Sequence, residues 1–322
     1  MADLVMSDLG TVDLDRYATA WQEDGFVVVP HLIPGPEVSP ALEQVRTLTP
    51  GPYEQASPSR NTTDNGPVDG PAFRKDQFGG TTLFPFADAP DLNALVLHPR
   101  LIEFARKALG TEDIRLYQAR AWSKYSGTVN YEQPLHRDMN HSLVPIRSEP
   151  GWWHLETFLY LHALDETNGA TKVVPMEVSN RGAYGTRPLT PEVAPELYAA
   201  EVSASGPAGS LMAYRSDVWH RGVDLPPDVE RHLLILAFRP AGVEWIGYDP
   251  LPPLVINGDF QRFAATCSPD QLAVLGIPRP GHPYWAEALV AAFAVQYPAL
   301  DVTPWRDAVG REPTGREPTG RP

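Results

Sequence analysis

The sequence predicts a mainly β protein with flanking helices, built on a double-stranded β-helix core of the jelly-roll or cupin-like type. Short apolar segments bounded by turn residues recur through residues 114–238, which is the pattern of buried strands. The 322 residues include 35 prolines and 25 glycines, so many loops and short elements are expected. Helical patterns precede the strands. Two packed sheets of antiparallel strands accommodate this order of elements.

The first hundred residues predict helices around one short strand. Asp13 is placed to cap a helix whose apolar face ends before Gly25. Apolar spacing also predicts helix on both sides of the His98-Pro99 pair, with Gly110 as the residue that ends the second one. The other elements expected here are a strand at 26–30 and a helix at 37–48.

The strands of the core are predicted from alternating or continuous apolar residues. They cover residues 114–124, 154–164, 170–174, 209–214 and 231–238. The turn at 165–169 predicts that 170–174 returns as the hairpin partner of the strand before it. Residues 180–208 are rich in proline and are expected to be a connection.

The composition predicts three regions, 1–240, 241–309 and 310–322. The first is the jelly-roll domain with its N-terminal helices. The second is an extension packed on the core, with a helix at 284–297 whose apolar side holds Trp285, Leu289, Val290 and Phe293. The third repeats Gly-Arg-Glu-Pro-Thr without apolar residues and is expected to be disordered.

Charge and cysteine content restrict the partners and the compartment. The formal net charge is −14, which argues against nucleic acid or an anionic membrane as a partner. Cys267 is the single cysteine, so no internal disulfide forms, and a cytoplasmic location is expected. The N-terminus has no secretory pattern, and no apolar run is long enough to span a membrane. The expected partner is a small molecule, and the oligomeric state is not predicted.

Two histidines and a carboxylate form a candidate metal site. His136 and Asp138 are separated by one residue, so in extended chain their side chains point the same way and Arg137 turns away. His220 supplies a second imidazole far downstream. Two histidines and one carboxylate on one face of an ion are the usual ligands of non-haem Fe(II). The His-x-Asp triplet alone also fits an exposed polar turn.

A buried cation is expected next to this site. Arg231 opens the apolar run 231–238, and a guanidinium at the start of a buried strand needs an anion. A dicarboxylate co-substrate would supply one through a two-pronged, charge-assisted contact.

These elements together resemble the phytanoyl-CoA dioxygenase family. The resemblance rests on His136-x-Asp138, on Asn168-Gly-Ala-Thr-Lys-Val-Val-Pro175, on His220 and on Arg231, and it covers residues 14–240. It departs at Gly222, where the family often has a serine that helps to hold 2-oxoglutarate.

The resemblance implies an Fe(II)- and 2-oxoglutarate-dependent dioxygenase. His136, Asp138 and His220 would hold the iron, and Arg231 would pair with the distal carboxylate of 2-oxoglutarate. The family uses O2 and releases succinate and CO2, and most of its members hydroxylate their substrate. Halogenating relatives have Ala or Gly in place of the carboxylate, so Asp138 argues against halogenation.

Further candidate residues line up on the strands and on a long irregular segment. Gln118, Arg120 and Trp122 share one face of a strand, which points either into the site or to solvent. Thr171 is either a pocket hydroxyl or an ordinary strand residue. Residues 50–90 form either a lid with Phe73 and Phe78 over the substrate or a solvated loop. The aromatic candidates for substrate contact are Trp122, Phe73, Phe78, Trp152, Trp153 and Trp245, which favour an apolar or ring-bearing metabolite of secondary metabolism.

Two other functions fit the same fold. One is a cupin-like metalloenzyme that does not use 2-oxoglutarate, and Arg231 argues against it. The other is a non-catalytic small-molecule binding protein, and the intact triad argues against it. Release of succinate in the presence of iron and 2-oxoglutarate distinguishes the three.

Overall fold

The computed structural model describes residues 12–49, 81–126, 132–138, 150–181, 188–243 and 258–309. Residues 50–80 of the segment predicted as a lid or a loop, with Phe73 and Phe78, lie outside the described residues, as do Trp245 and the tail at 310–322. The chain divides into two compact units, Met1–Pro250 and Leu251–Pro322. None of the helices in the described ranges is long and apolar enough to cross a membrane. The packing of residues 241–309 on the core stays a prediction.

The N-terminal elements follow the sequence closely. The helices are α1 (Leu14–Asp24), α2 (Gly35–Leu48), α3 (Pro90–Val96) and α4 (Pro99–Leu109), with strands β1 (Phe26–Val29) and β2 (Thr81–Leu83) between them. Asp13 Oδ1 accepts the Arg16 N–H at 3.1 Å, which confirms the predicted cap of α1. Gly25 has φ +80°, and a Cβ there would lie 2.5 Å from Met176, so only glycine fits this end of the helix.

The larger sheet has six antiparallel strands in the order β1-β7-β4-β9-β3-β2. Its remaining members are β3 (Ile114–Tyr125), β4 (Leu155–Tyr160), β7 (Leu211–Arg215) and β9 (Glu230–Pro240). The smaller sheet has the order β6-β5-β8, with β5 (Lys172–Val173), β6 (Val202–Ser203) and β8 (His220–Arg221). Val173 of the smaller sheet packs in one apolar cluster with Phe158 and Ile235 of the larger sheet. The two sheets therefore share a core, as the predicted jelly roll requires.

The prediction that residues 170–174 pair with the preceding strand is wrong. Both edges of β4 are already occupied by β7 and β9. The chain therefore crosses to the smaller sheet, where β5 pairs with β6 and β8. The strand predicted at 154–164 is shorter in the structure, where β4 ends at Tyr160. A short helix, α5 (Met176–Ser179), follows β5, and the predicted connection at 180–208 contains α6 (Pro195–Ala199) and β6.

The C-terminal unit is helical where it is described. Its elements are α7 (Gly258–Ala264), α8 (Pro269–Val274), α9 (Glu287–Gln296) and α10 (Thr303–Ala308). Phe293 of α9 packs against the rings of Trp285 and Trp305, with centroids 5.0 and 5.4 Å away. Val290 is also buried, but Leu289 is 39% exposed, so its predicted place on the apolar side is wrong.

Candidate metal centre

The two histidines of the triad are joined through their backbones. His136 and His220 form an antiparallel bridge, in which each N–H donates to the other's carbonyl oxygen at 3.0 Å. Residues directly opposite in such a bridge place their side chains on the same side. The two imidazole centroids are accordingly 4.4 Å apart. The pairing of the segment at His136 with β8 thus brings together two histidines that are far apart in the sequence.

Asp138 completes the cluster. Its Oδ1 lies 3.9 Å from His136 Nε2, and its Oδ2 lies 3.6 Å from His220 Nε2. Two ligands bound to one ion at about 2.1 Å can be at most about 4.2 Å apart, so both distances allow a shared ion. Arg137 turns away, with its guanidinium 4.6 Å above the Trp219 ring.

The hydrogen bonds of the two rings leave the same nitrogen available on each. His136 Nδ1 lies 3.0 Å from the Pro134 carbonyl oxygen, and His220 Nδ1 lies 3.1 Å from that of Val218. A carbonyl only accepts, so each Nδ1 carries the proton and each Nε2 keeps its lone pair towards Asp138. Two neutral imidazoles and a carboxylate are the donor set that Fe(II) takes. The residues therefore fit the metal.

Two polar side chains of the larger sheet surround the carboxylate of Asp138. Tyr214 donates its hydroxyl to Asp138 Oδ2 at 2.8 Å. Glu156 is fully buried, and burial first, then the charge of Asp138, raise its pKa to about 8. Tyr117 donates a hydrogen bond to Glu156. Sequence reasoning missed these residues because each lies in a strand of mostly apolar residues. No local sequence signal could have found them, because their place at the site depends on strand register, which long-range pairing sets.

The larger sheet presents its inner face to the site in parallel rows. Each row consists of residues directly opposite one another on neighbouring strands. The first row is Tyr214, Glu156, Ala237 and Gln118, and the second is Met212, Phe158, Ile235 and Arg120. The third is Tyr160, Leu233 and Trp122, and the fourth is Arg231 and Lys124. Trp122 belongs to the core between the sheets, so Gln118 and Arg120 share its inward side by alternation. Of the two orientations that the sequence allowed for these residues, the structure has the inward one.

Arg231 is buried beside β3 and the turn that precedes β5. It is 2% exposed, and its Nη1 donates to the Gly169 carbonyl oxygen at 2.8 Å. Its guanidinium lies 5.7 Å from the centre of the Trp122 ring. Thr171 is 3% exposed. It lies two residues before Val173, which belongs to the core between the sheets, so both side chains point to the inner side of the smaller sheet.

Two positions depart from the expected site. Trp153, a predicted substrate residue, packs edge to face on Trp21 of α1 at 5.8 Å and lies under the guanidinium of Arg215 at 4.6 Å. At Gly222, a Cβ would lie 2.6 Å from Gln133 Oε1, which accepts the Gly222 N–H at 2.8 Å. The Gln133 side chain therefore fills the space that a serine at this position would need.

A family model and solved structures match the chain. The model of the phytanoyl-CoA dioxygenase (PhyH) family matches residues 21–224. No curated protein matches the sequence.

Three solved structures illustrate the shared fold. EctD from S. alaskensis, with 2-oxoglutarate and 5-hydroxyectoine, is 19% identical, with a TM-score of 0.54 over 73% of this chain and 80% of that chain. AviO1 from Streptomyces viridochromogenes Tue57 is 14% identical, with a TM-score of 0.52 over 75% and 99%. The epimerase SnoN, with Fe3+, alpha ketoglutarate and nogalamycin RO, is 18% identical, with a TM-score of 0.50 over 74% and 93%. At these identities the likeness supports the fold.

Proposed function

The chain belongs to the phytanoyl-CoA dioxygenase family, and from this premise we propose that it hydroxylates a small-molecule metabolite. Fe(II) and 2-oxoglutarate are the cofactors of the family, with O2 as the second co-substrate. The reaction consumes one O2 and one 2-oxoglutarate for each hydroxyl group formed, and it releases succinate and CO2. One oxygen atom enters the substrate and the other enters succinate.

The observation that carries the proposal is the cluster of His136, Asp138 and His220. Their ligand atoms form one cluster, in which the Asp138 oxygens lie 3.9 Å from His136 Nε2 and 3.6 Å from His220 Nε2. The hydrogen bonds to Pro134 and Val218 hold each ring with Nε2 towards the carboxylate. When bound there, iron together with 2-oxoglutarate supplies the oxidising power that no side chain possesses. The three residues hold the ion and leave its opposite face for small ligands.

The surrounding residues have supporting roles in this proposal. Arg231 pairs with the distal carboxylate of 2-oxoglutarate, because a guanidinium matches a carboxylate with two parallel hydrogen bonds. Gln118, Arg120 and Thr171 are further candidates for polar contacts with the co-substrate. Trp122 contributes an apolar wall on the same face, which supports an apolar or ring-bearing substrate and keeps water from the reacting atoms.

Two measurements test the proposal. The first is the Fe(II) affinity of the apoprotein under nitrogen, in the wild type and in His136→Ala and His220→Ala. We expect each variant to lose most of its Fe(II) binding. The control is His282→Ala, at an exposed histidine of the C-terminal unit, and it should bind iron as the wild type does. Unchanged affinity in both triad variants would remove the metal centre from the proposal.

The second measurement is succinate formation from 2-oxoglutarate under air, screened over candidate metabolites. A dioxygenase forms succinate faster with its substrate and yields a product heavier by one oxygen atom. A metalloenzyme that does not use 2-oxoglutarate binds Fe(II) but gives no succinate with any metabolite. A non-catalytic binding protein forms neither succinate nor a chemically changed metabolite, although its triad still binds metal.

A further inference from the structure

The polar residues in the first row of the larger sheet lie beside the triad, at the opposite end of the inner face from Arg231. Tyr214 of this row donates to Asp138, and Glu156 is directly opposite Tyr214. Successive rows are two residues apart along each strand, so roughly 20 Å separates the backbone of the first row from that of Arg231 in the fourth. A co-substrate paired with Arg231 extends along the later rows, and the first row faces the space that is left for the substrate.

A β-bulge adds a further polar side chain to this row. The register of β3 against β9 shifts between Leu116 and Gln118, which leaves Tyr117 as the extra residue. Bulges of this kind re-aim a side chain and are common next to active sites. Here the hydroxyl of Tyr117 donates to Oε1 of Glu156. The carboxyl group is thereby held in place, and one of its two oxygens is already used.

Two polar groups of the row have no hydrogen-bond partner within the part of the chain that the structure describes. They are Oε2 of Glu156 and the side-chain amide of Gln118. The two residues are 1% and 8% exposed, so solvent does little to satisfy these groups, and leaving them unpaired is costly. A single residue, Ala237, separates them in the row. One small polar group bound between them can therefore contact both.

The neighbouring charges favour a neutral group at this place. Arg120 follows Gln118 on the inner face, in the second row, and Asp138 lies on the side of Glu156. Burial first raises the pKa of Glu156, the charge of Asp138 raises it further, and that of Arg120 lowers it, so both charges act here. An ammonium group would meet the like charge of Arg120, and a carboxylate would meet the two acidic residues. A hydroxyl group is neutral, and it both donates and accepts.

We propose that Glu156 and Gln118 bind a hydroxyl group of the substrate, an inference that rests on the function proposed above. The hydroxyl donates to Oε2 of Glu156 and accepts a hydrogen bond from the amide of Gln118, while Tyr117 positions the carboxyl group. Gln118, a candidate for contact with the co-substrate, is thereby assigned to the substrate. The substrate class is a neutral, hydroxyl-bearing metabolite, which this pair holds beside the triad.

The test is a calorimetric titration of the full chain, loaded with Fe(II) and 2-oxoglutarate under nitrogen, with benzyl alcohol, toluene and benzylamine. These probes share one ring and differ in the polar group. We expect the wild type to bind benzyl alcohol about tenfold more tightly than toluene, and more tightly than benzylamine. Glu156→Leu and Gln118→Leu should lose most of this preference without losing affinity for toluene. Glu156→Gln should keep it, because the amide still accepts from Tyr117 and can donate to the hydroxyl. Glu177→Leu, at an exposed residue of α5, is the control and should match the wild type.

The outcomes separate this inference from the proposed function. If the wild type with Fe(II) does not bind 2-oxoglutarate, the function fails and the inference fails with it. If 2-oxoglutarate binds but toluene or benzylamine binds as tightly as benzyl alcohol, or none of the three binds, the hydroxyl site is wrong and the function stands. An unchanged preference in both leucine variants has the same meaning. A variant that does not fold is recognised by its circular dichroism, and the order of the three probes in the wild type then decides.

Discussion

Tyr214 of β7 donates its phenolic hydroxyl to Oδ2 of Asp138 at 2.8 Å, and its ring lies 4.5 Å from that of His220. One side chain of the larger sheet thus contacts two of the three candidate metal ligands. The hydrogen bond orients the carboxylate, and the ring contact restricts the imidazole. Residues that hold metal ligands in this way contribute to affinity without touching the ion.

Tyr214→Phe should therefore weaken Fe(II) binding without removing it. The change leaves the ring in place and deletes one hydrogen bond to a carboxylate, which is expected to raise the dissociation constant by about tenfold. The control is Tyr125→Phe, which deletes a phenolic hydroxyl on β3 that lies 3.4 Å from Thr49 Oγ1. Equal iron affinity in the two variants would show that Tyr214 does not orient Asp138.

The sequence was sufficient to predict the cluster of candidate metal ligands but not the residues that contact them. His136 and Asp138 are neighbours in the chain, so their common direction follows from local geometry alone. Tyr214 and Glu156 reach the site only through strand register, which is set by long-range pairing. The error at β5 has the same origin. A turn predicts that the chain reverses, but it does not say which strand edges are already occupied.

Gly209 should be among the positions where alanine is least tolerated. It has φ +78°, and a Cβ there would lie 1.9 Å from the carbonyl oxygen of Ile33. This oxygen belongs to the backbone, so a change of side-chain rotamer cannot relieve the clash. We expect Gly209→Ala to lower the free energy of unfolding by about 3 kcal/mol or more. Gly242 has φ +82° but open space around its Cβ position, so Gly242→Ala should cost only about 1 kcal/mol. Urea unfolding of both variants measures the difference, and equal losses would contradict the predicted clash.

Acid should destabilise the protein through His162. Burial first, then the charge of His232, lower the pKa of His162 to about 4. Its Nε2 accepts a hydrogen bond from the backbone N–H of His232 at 3.1 Å. Between pH 6.5 and 4 the unfolded chain binds a proton that the folded protein does not. Stability from this residue is therefore present above pH 6.5 and is lost as the pH falls to 4, by at most about 3 kcal/mol.

His162→Gln tests this dependence, because its amide oxygen can accept the same hydrogen bond but does not titrate. The free energy of unfolding of this variant should fall less steeply between pH 6.5 and 4 than that of the wild type. His31→Gln, at an exposed histidine of the same compact unit, is the control and should keep the wild-type slope. A slope that does not change in His162→Gln would assign the acid sensitivity to other groups.

Asp138→Gly tests the chemistry for which the site is built. Asp138 supplies the negative charge that balances the ion and occupies the third position beside the two histidines. The glycine variant keeps both imidazoles, because the backbone bridge between His136 and His220 does not involve the carboxylate. We expect Fe(II) affinity to fall by more than the roughly tenfold of Tyr214→Phe, and hydroxylated product to disappear. Asp138→Asn is the matched control, since it keeps the side-chain shape and an oxygen for Tyr214 but loses the charge. Mass spectrometry of substrate and succinate together measures the result. Full hydroxylation by the glycine variant would mean that Asp138 is not a ligand.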